Sequence, residues 1–225
     1  SCTSDFLDVD SREDVDVADA TTTYNPVVLV NGIYGELTEW DYAFSWLGVT
    51  EIISDNADKG SSPTDGGSDK LILDNLEHTA ATGSIDAMWT RFYKTIGRAN
   101  QSIKYTENYG LTDQNYKNRL IGEAKFLRAH YFFLLVQLYG DVPMSLKPAN
   151  AGDDLFPRRA GKDTIYNEVI IPDLKEAIKL LPTREEYSTI DKGRASKGAA
   201  YGMLAKVYLT LGKYVECIEM CDEVT

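Results

Sequence analysis

The sequence predicts an all-α fold: helical hairpins interrupted by one long irregular loop. Apolar residues recur at steps of three and four over most of the stretch after Asn25, the mark of helices with one buried face. Breakers at Gly140-Asp141-Val142-Pro143, Pro182 and Gly212 separate these periodic stretches. Between Thr50 and Thr82 the period fails, and Gly60 to Asp69 is dense in turn residues.

Residues 1–24 are rich in Asp, Ser and Thr without a sustained period and read as an extended N-terminal tether; residues 25–225 read as the helical domain. Asn25 and Pro26 supply an N-cap and a first-turn proline for a helix to about Trp40, with Val27, Val30, Ile33, Tyr34 and Leu37 inward. Leu71, Ile72 and Leu73 suit a short strand or an anchor pinning the long loop to the core. A second helix from near Ser84 carries Met88, Trp89, Phe92, Tyr93, Ile96, Asn100 and Ile103 on one face, and a third runs from about Thr112 to Tyr139. Asp163 caps a fourth, which ends at Pro182, with a kink or break at Pro172, a residue that has no N–H for the carbonyl of Glu168. The fifth spans about Ala195–Leu211, and Gly212 separates it from a sixth beginning near Tyr214.

The 225 residues carry 35 acids and 23 bases, a net charge of −12, which argues against a nucleic-acid partner. The acidity is local: residues 1–20 hold seven acids against Arg12, and residues 51–69 hold five against Lys59. Three cysteines are too few for a disulfide scaffold. Cys217 and Cys221 share a helix face with no histidine beside them, and they read as small buried hydrophobes. The longest apolar run, Tyr131 to Val136, is too short to cross a bilayer.

Ala205, Tyr208, Gly212, Tyr214 and Cys217 are spaced like the junction of a tetratricopeptide hairpin, where small residues let helices approach and aromatics fill the gap. A longer series is more specific. Cys2 precedes Asp5-Phe6-Leu7-Asp8; Trp89, Tyr93, Ile96 and Arg98-Ala99-Asn100 follow. Then come Gly122-Glu123-Ala124-Lys125-Phe126-Leu127-Arg128-Ala129, Tyr139-Gly140-Asp141-Val142-Pro143, Tyr166 through Asp173-Leu174 to Leu181-Pro182, and Gly193-Arg194-Ala195-Ser196. In that order, over essentially the whole chain, they resemble the SusD/RagB family of outer-membrane nutrient-binding lipoproteins. The resemblance implies tetratricopeptide-like helical hairpins and, because members are longer, an N-terminal portion truncated at its C-terminal end. It also implies a cell-surface protein that captures an oligosaccharide and delivers it to a partner SusC-type TonB-dependent transporter, with Cys2 lipidated as the membrane anchor. Without the resemblance Cys2 reads as an ordinary exposed thiol.

By the same resemblance the segment between the first helix and the Trp89 helix contributes to ligand binding. The candidate contacts are Asp55, Asn56, Asp58, Asp69, Asp74 and Asn75, whose carboxylates accept and whose amides both donate and accept hydrogen bonds from sugar hydroxyls. The competing reading is a solvated loop chosen for its turns. Sugars are usually held on an aromatic face, and no aromatic occurs between Leu47 and Met88. Trp40, Tyr42, Phe44 and Trp46 alternate just upstream, as a one-sided surface or as packing, and Trp46 is the aromatic candidate. Trp89 and Asn100 read as core, with Arg128 and Arg194 pairing with acids or helix ends.

Catalysis finds little support. His78 and His130 are the only histidines, no HExxH, GxSxG or Walker pattern occurs, and the Asp55–Asp69 spacing is not that of an EF-hand. No cofactor or metal is expected. The alternative from another class is a tetratricopeptide adaptor for protein segments, which regular helix pairs without loops favour.

Overall fold

A computed structural model describes residues 25–60, 62, 65, 68–149 and 157–224. The tether read over residues 1–24, Cys2 included, lies outside them. Asn25 caps α1 (Pro26–Gly35), its side chain accepting the Val27 N–H at 3.0 Å. A 3₁₀ turn, Glu36–Thr38, then hands the chain to α2 (Trp40–Leu47), so the helix expected to run to about Trp40 is two. The break turns Glu36 inward, where Arg91 at 2.7 Å, Lys94 at 3.2 Å and Arg98 surround its carboxylate.

A π-helical turn, Gly48–Ile52, closes α2, and the long loop contains α3 (Ser68–Asp74). The loop expected to be irregular is therefore partly helical. Leu71–Leu73 form helix rather than strand, and the fully buried Leu73 acts as the anchor.

Two 26-residue helices, α4 (Gly83–Asn108) and α5 (Gln114–Tyr139), make the central hairpin. Asp113 caps α5 by accepting the Tyr116 N–H at 3.1 Å, and Gly140 ends it at φ 71°, a left-handed conformation that glycine adopts freely. Met88, Phe92 and Ile96 pack against Tyr131, Phe132 and Leu135, with the Phe92 and Tyr131 rings edge-on at 5.4 Å. Trp89 lies against Tyr93 and Tyr139, as its shared face with Tyr93 and Ile96 predicts.

After α5, two short strands, β1 (Val142–Pro143) and β2 (Arg159–Ala160), pair antiparallel with Val142 opposite Ala160. Asp141 accepts the Lys162 N–H at 2.9 Å and so steadies the start of α6 (Lys162–Ile165); Asp163, expected as the cap, sits within the first turn instead. A π turn over Tyr166–Ile170 leads into α7 (Ile171–Leu180). This is the form that the break at Pro172 takes: the Ile171 N–H reaches back to Tyr166, and the proline falls in the first turn of α7, where its missing N–H costs little.

Ser196 caps α8 (Lys197–Thr210), and Gly212, at φ 70°, turns the chain into α9 (Tyr214–Asp222). Helix α5 packs on α7, α7 on α8 and α8 on α9, while α1 and α2 lie on α4. From the central hairpin onward the longer helices thus pack in succession, which is how tetratricopeptide-like hairpins stack. Cys217 is half-buried and Cys221 exposed, so only the first approaches the buried role expected of both.

A buried polar network and a close helix approach lock the stack. Arg128 donates from Nε and Nη2 to both oxygens of Asp173, at 2.7 and 2.8 Å, and from Nη1 to Asn100 Oδ1 at 2.8 Å. Asn100 in turn donates to the carbonyls of Ser145 and Lys147, the backbone bonding expected of a buried amide. Gly122 lets α5 approach the end of α7: a Cβ there would stand 3.0 Å from Leu181 Cγ and 3.1 Å from Leu180 Cβ. Gly122→Ala is expected to cost about 1–3 kcal/mol of stability by overpacking, read by urea unfolding.

Candidate functional site

Helix α2, the 54–60 segment and α3 carry six of the seven candidate contacts, and Asn75 directly follows α3. Helical geometry sorts the four even-spaced aromatics of α2 into two stacks rather than one surface. Tyr42 and Trp46 stack at 6.0 Å and turn inward onto the main core, where the Tyr42 ring meets Phe92 and Tyr131. Trp40 and Phe44 stack at 5.6 Å with planes 12° apart, and Trp40 is 73% exposed. Trp46, the aromatic candidate, is thus half-buried, whereas Trp40 presents a free ring face. The i, i+4 spacing of Trp40 and Phe44 was the available signal, hidden because the first helix was read as ending at Trp40.

Lys70 holds this stack to the rest of the face. Its Nζ sits 4.3 Å from the Phe44 ring centroid, 3.0 Å from Asp69 Oδ2 and within hydrogen-bond reach of Ser84 Oγ. Asp69 also accepts the Ser84 N–H at 3.0 Å, placing a carboxylate over the first turn of α4, where the helix dipole favours it. Burial raises the Asp69 pKa, but the hydrogen bonds from Ser84 and Lys70 outweigh it and hold the group below the usual carboxylate value. Asp69 is therefore occupied by internal partners. Asp74 is half-buried and accepts the Lys59 N–H at 3.4 Å, which draws the 54–60 segment onto α3.

Asp55, Asn56, Asp58 and Asn75 are exposed. The structure thus leaves four of the candidates outward, commits Asp69 and Asp74 to local contacts, and turns Trp46 toward the core. Helix α2 rises about 12 Å over its eight residues, with Trp40 in its first turn.

Glu36 anchors α2 from below. Burial raises its pKa, but Arg91 and Lys94 hydrogen bonds and the Arg98 charge overcome this and hold it below the ordinary 4.5. A carboxylate depressed on folding contributes stability that is present above its unfolded pKa and lost as pH falls through the lower folded value. Glu36→Gln is expected to flatten the decline in stability below about pH 4.5, measured as the urea midpoint against pH.

A family model described as "Starch-binding associating with outer membrane" matches residues 5–209. The chain belongs to the SusD-like family. SusD-like protein P2 of Formosa agariphila is 30% identical over 202 residues, 88% of this chain and 38% of that protein. The solved structure of a SusD-like protein of Bacteroides fragilis superposes with TM-score 0.76 at 27% identity, over 93% of this chain and 39% of that one. A laminarin-binding SusD-like protein superposes with TM-score 0.74 at 28% identity, over 92% of this chain and 43% of that one. The SusD-like chain therefore spans less than half the length of these relatives. Its resemblance to SusD/RagB proteins and its helical, tetratricopeptide-like fold stand on these matches. The family is starch-binding and associated with the outer membrane. Among the described residues, no helix is long and apolar enough to cross a membrane.

Proposed function

We propose that this SusD-like chain forms the helical part of a surface lipoprotein that captures an oligosaccharide on the α2–α3 face. It delivers the oligosaccharide to a SusC-type TonB-dependent transporter, with Cys2 as the lipid anchor. The observation that carries this reading is the exposed Trp40 ring backed by Phe44, in a chain whose family model is starch-binding. Sugar rings present apolar C–H faces that stack on such a ring, while Asp55, Asn56, Asp58 and Asn75 reach hydroxyl groups. Lys70 backs the platform at Phe44, Trp46 packs with Tyr42 toward the core, and Asp69 and Asp74 hold α3 and the 54–60 segment in place.

Burial and the neighbouring Lys206 charge push His130 down to about 4. The irregular face between α2 and α4 also departs from the uninterrupted helix pairs that favour a protein-segment adaptor. Laminarin is the first probe, because a structural relative binds it. Affinity electrophoresis of the purified chain in a laminarin gel is expected to show retardation with no release of shorter sugars. Unretarded migration across laminarin and starch gels, or turnover of either, would contradict the proposal.

A further inference from the structure

We infer that the opposite end of α5 holds a second saccharide-binding groove, of about 480 Å³, between the first turns of α5 and the end of α7. This inference rests on the proposed glycan function and adds a separate site to it. Tyr116 and Arg119 lie toward the start of α5, whereas Phe44 and Ser84 lie toward its C-terminal end, which Tyr139 ties to Ile85. At 1.5 Å per residue the two places are on the order of 20–30 Å apart.

The floor of the groove is built rather than incidental. The Arg119 guanidinium lies between two rings, 5.4 Å from that of Tyr116 and 5.1 Å from that of Tyr187. Its donors are committed to Glu123, at 2.9 Å, and to both oxygens of Asp191, at 3.0 and 3.1 Å. Glu123 is fully buried on α5 and also binds Arg194 at 2.9 Å, and Arg194 reaches Asn31 on α1 at 2.6 Å. Tyr187 is fixed by its hydroxyl, which donates to the Ala195 carbonyl at 2.7 Å. One buried carboxylate thus ties the 183–196 arm to α1 and α5, and the groove's back wall is rigid before any ligand arrives.

The lining selects the ligand class. Two amides one turn apart, Asn115 and Asn118, face the groove beside the Tyr116 ring, with Leu181 and Pro182 as an apolar strip and Glu186 at the rim. Gln114 donates to Asn118 Oδ1 at 2.7 Å, which orients that amide and leaves its N–H₂ to donate. Both lining cations are paired, Arg119 with two carboxylates and Lys179 with Glu176 at 2.7 Å, while the lining carboxylates Asp113 and Glu186 accept the Tyr116 and Thr183 N–H groups. A groove with amide donors, amide and carboxylate acceptors, an aromatic edge and no unanswered cation fits an uncharged polyhydroxylated chain better than an anion or an apolar molecule. Its volume is within the range of small-ligand sites.

The test is a calorimetric titration of the whole chain with a laminarin-derived hexasaccharide. Wild type is expected to bind two equivalents. Trp40→Ala and the double variant Asn115→Ala/Asn118→Ala are each expected to bind one, with unchanged thermal midpoints, and the combined variant none. Amide-resolved NMR is expected to show the Asn115 and Asn118 side-chain signals shifting in Trp40→Ala on saturation, which reads the groove without altering it. A single equivalent lost entirely in Trp40→Ala, with those signals unmoved, overturns the second site and leaves the α2–α3 function standing. One equivalent retained by Trp40→Ala and lost with the two asparagines supports the groove and overturns the α2–α3 site. No binding by wild type overturns both.

Discussion

Arg128→Ala is expected to lower the free energy of unfolding by about 3–5 kcal/mol, a large part of the margin of an ordinary domain. Arg128 lies in the second half of the central hairpin, and Asp173 is in the first turn of α7. Both are almost wholly buried, so removing the guanidinium strands a carboxylate away from water. It also takes the partner from Asn100 Oδ1 and loosens the hold of that amide on the carbonyls of Ser145 and Lys147. Arg128→Lys keeps the charge but not the two-pronged geometry and is expected to fall between wild type and alanine. Replacing both partners with apolar residues, Arg128→Met with Asp173→Leu, is expected to recover much of the loss, because no charge is then left unpaired. Urea unfolding reads all of these; a loss below about 1 kcal/mol for Arg128→Ala would show that the network does not lock the stack.

Trp40→Ala is expected to weaken glycan binding at least about tenfold, roughly 1.4 kcal/mol, while changing stability by less than about 0.5 kcal/mol. The asymmetry follows from the position of the ring, 73% exposed with only one face against Phe44. Trp40→Phe keeps a smaller platform and is expected to lie between. Trp46→Ala is expected to do the reverse, costing on the order of 2 kcal/mol of stability through the cavity it leaves among Tyr42 and the core. Surface plasmon resonance on immobilised laminarin, paired with thermal unfolding, separates the two effects.

The long helices were legible because fourteen or more residues give the 3.6 period room to declare itself, and the stops at Gly140 and Gly212 were written locally; the caps Asp113 and Ser196 emerged only in the structure. Helix α2 was not, since its aromatics alternate Trp, Tyr, Phe, Trp over a span short enough to suit either period. That ambiguity decided the site: a strand puts Trp40 and Trp46 together, a helix sends one out and the other in. In α3 the breakers before it masked a seven-residue helix held by Leu73 and by the pairing of Asp69 with Ser84. That Asp69 is occupied depends on a residue fifteen positions away, which local reading does not reach. The same holds for the Tyr116 groove, whose walls come from two segments, 113–119 and 179–187, far apart in the chain. Arg128, Arg194 and Asn100 were correctly read as structural because burial on an apolar stripe obliges such groups to find partners, even where the partners stay unnamed.

The indole N–H resonances, one from each of three tryptophans, offer the most direct check on capture at the α2–α3 face. On saturation with laminarin oligosaccharide the Trp40 signal is expected to move strongly while those of Trp46 and Trp89, packed against the core, stay close to their free positions. A saturated complex in which the Trp40 indole does not move would contradict the account.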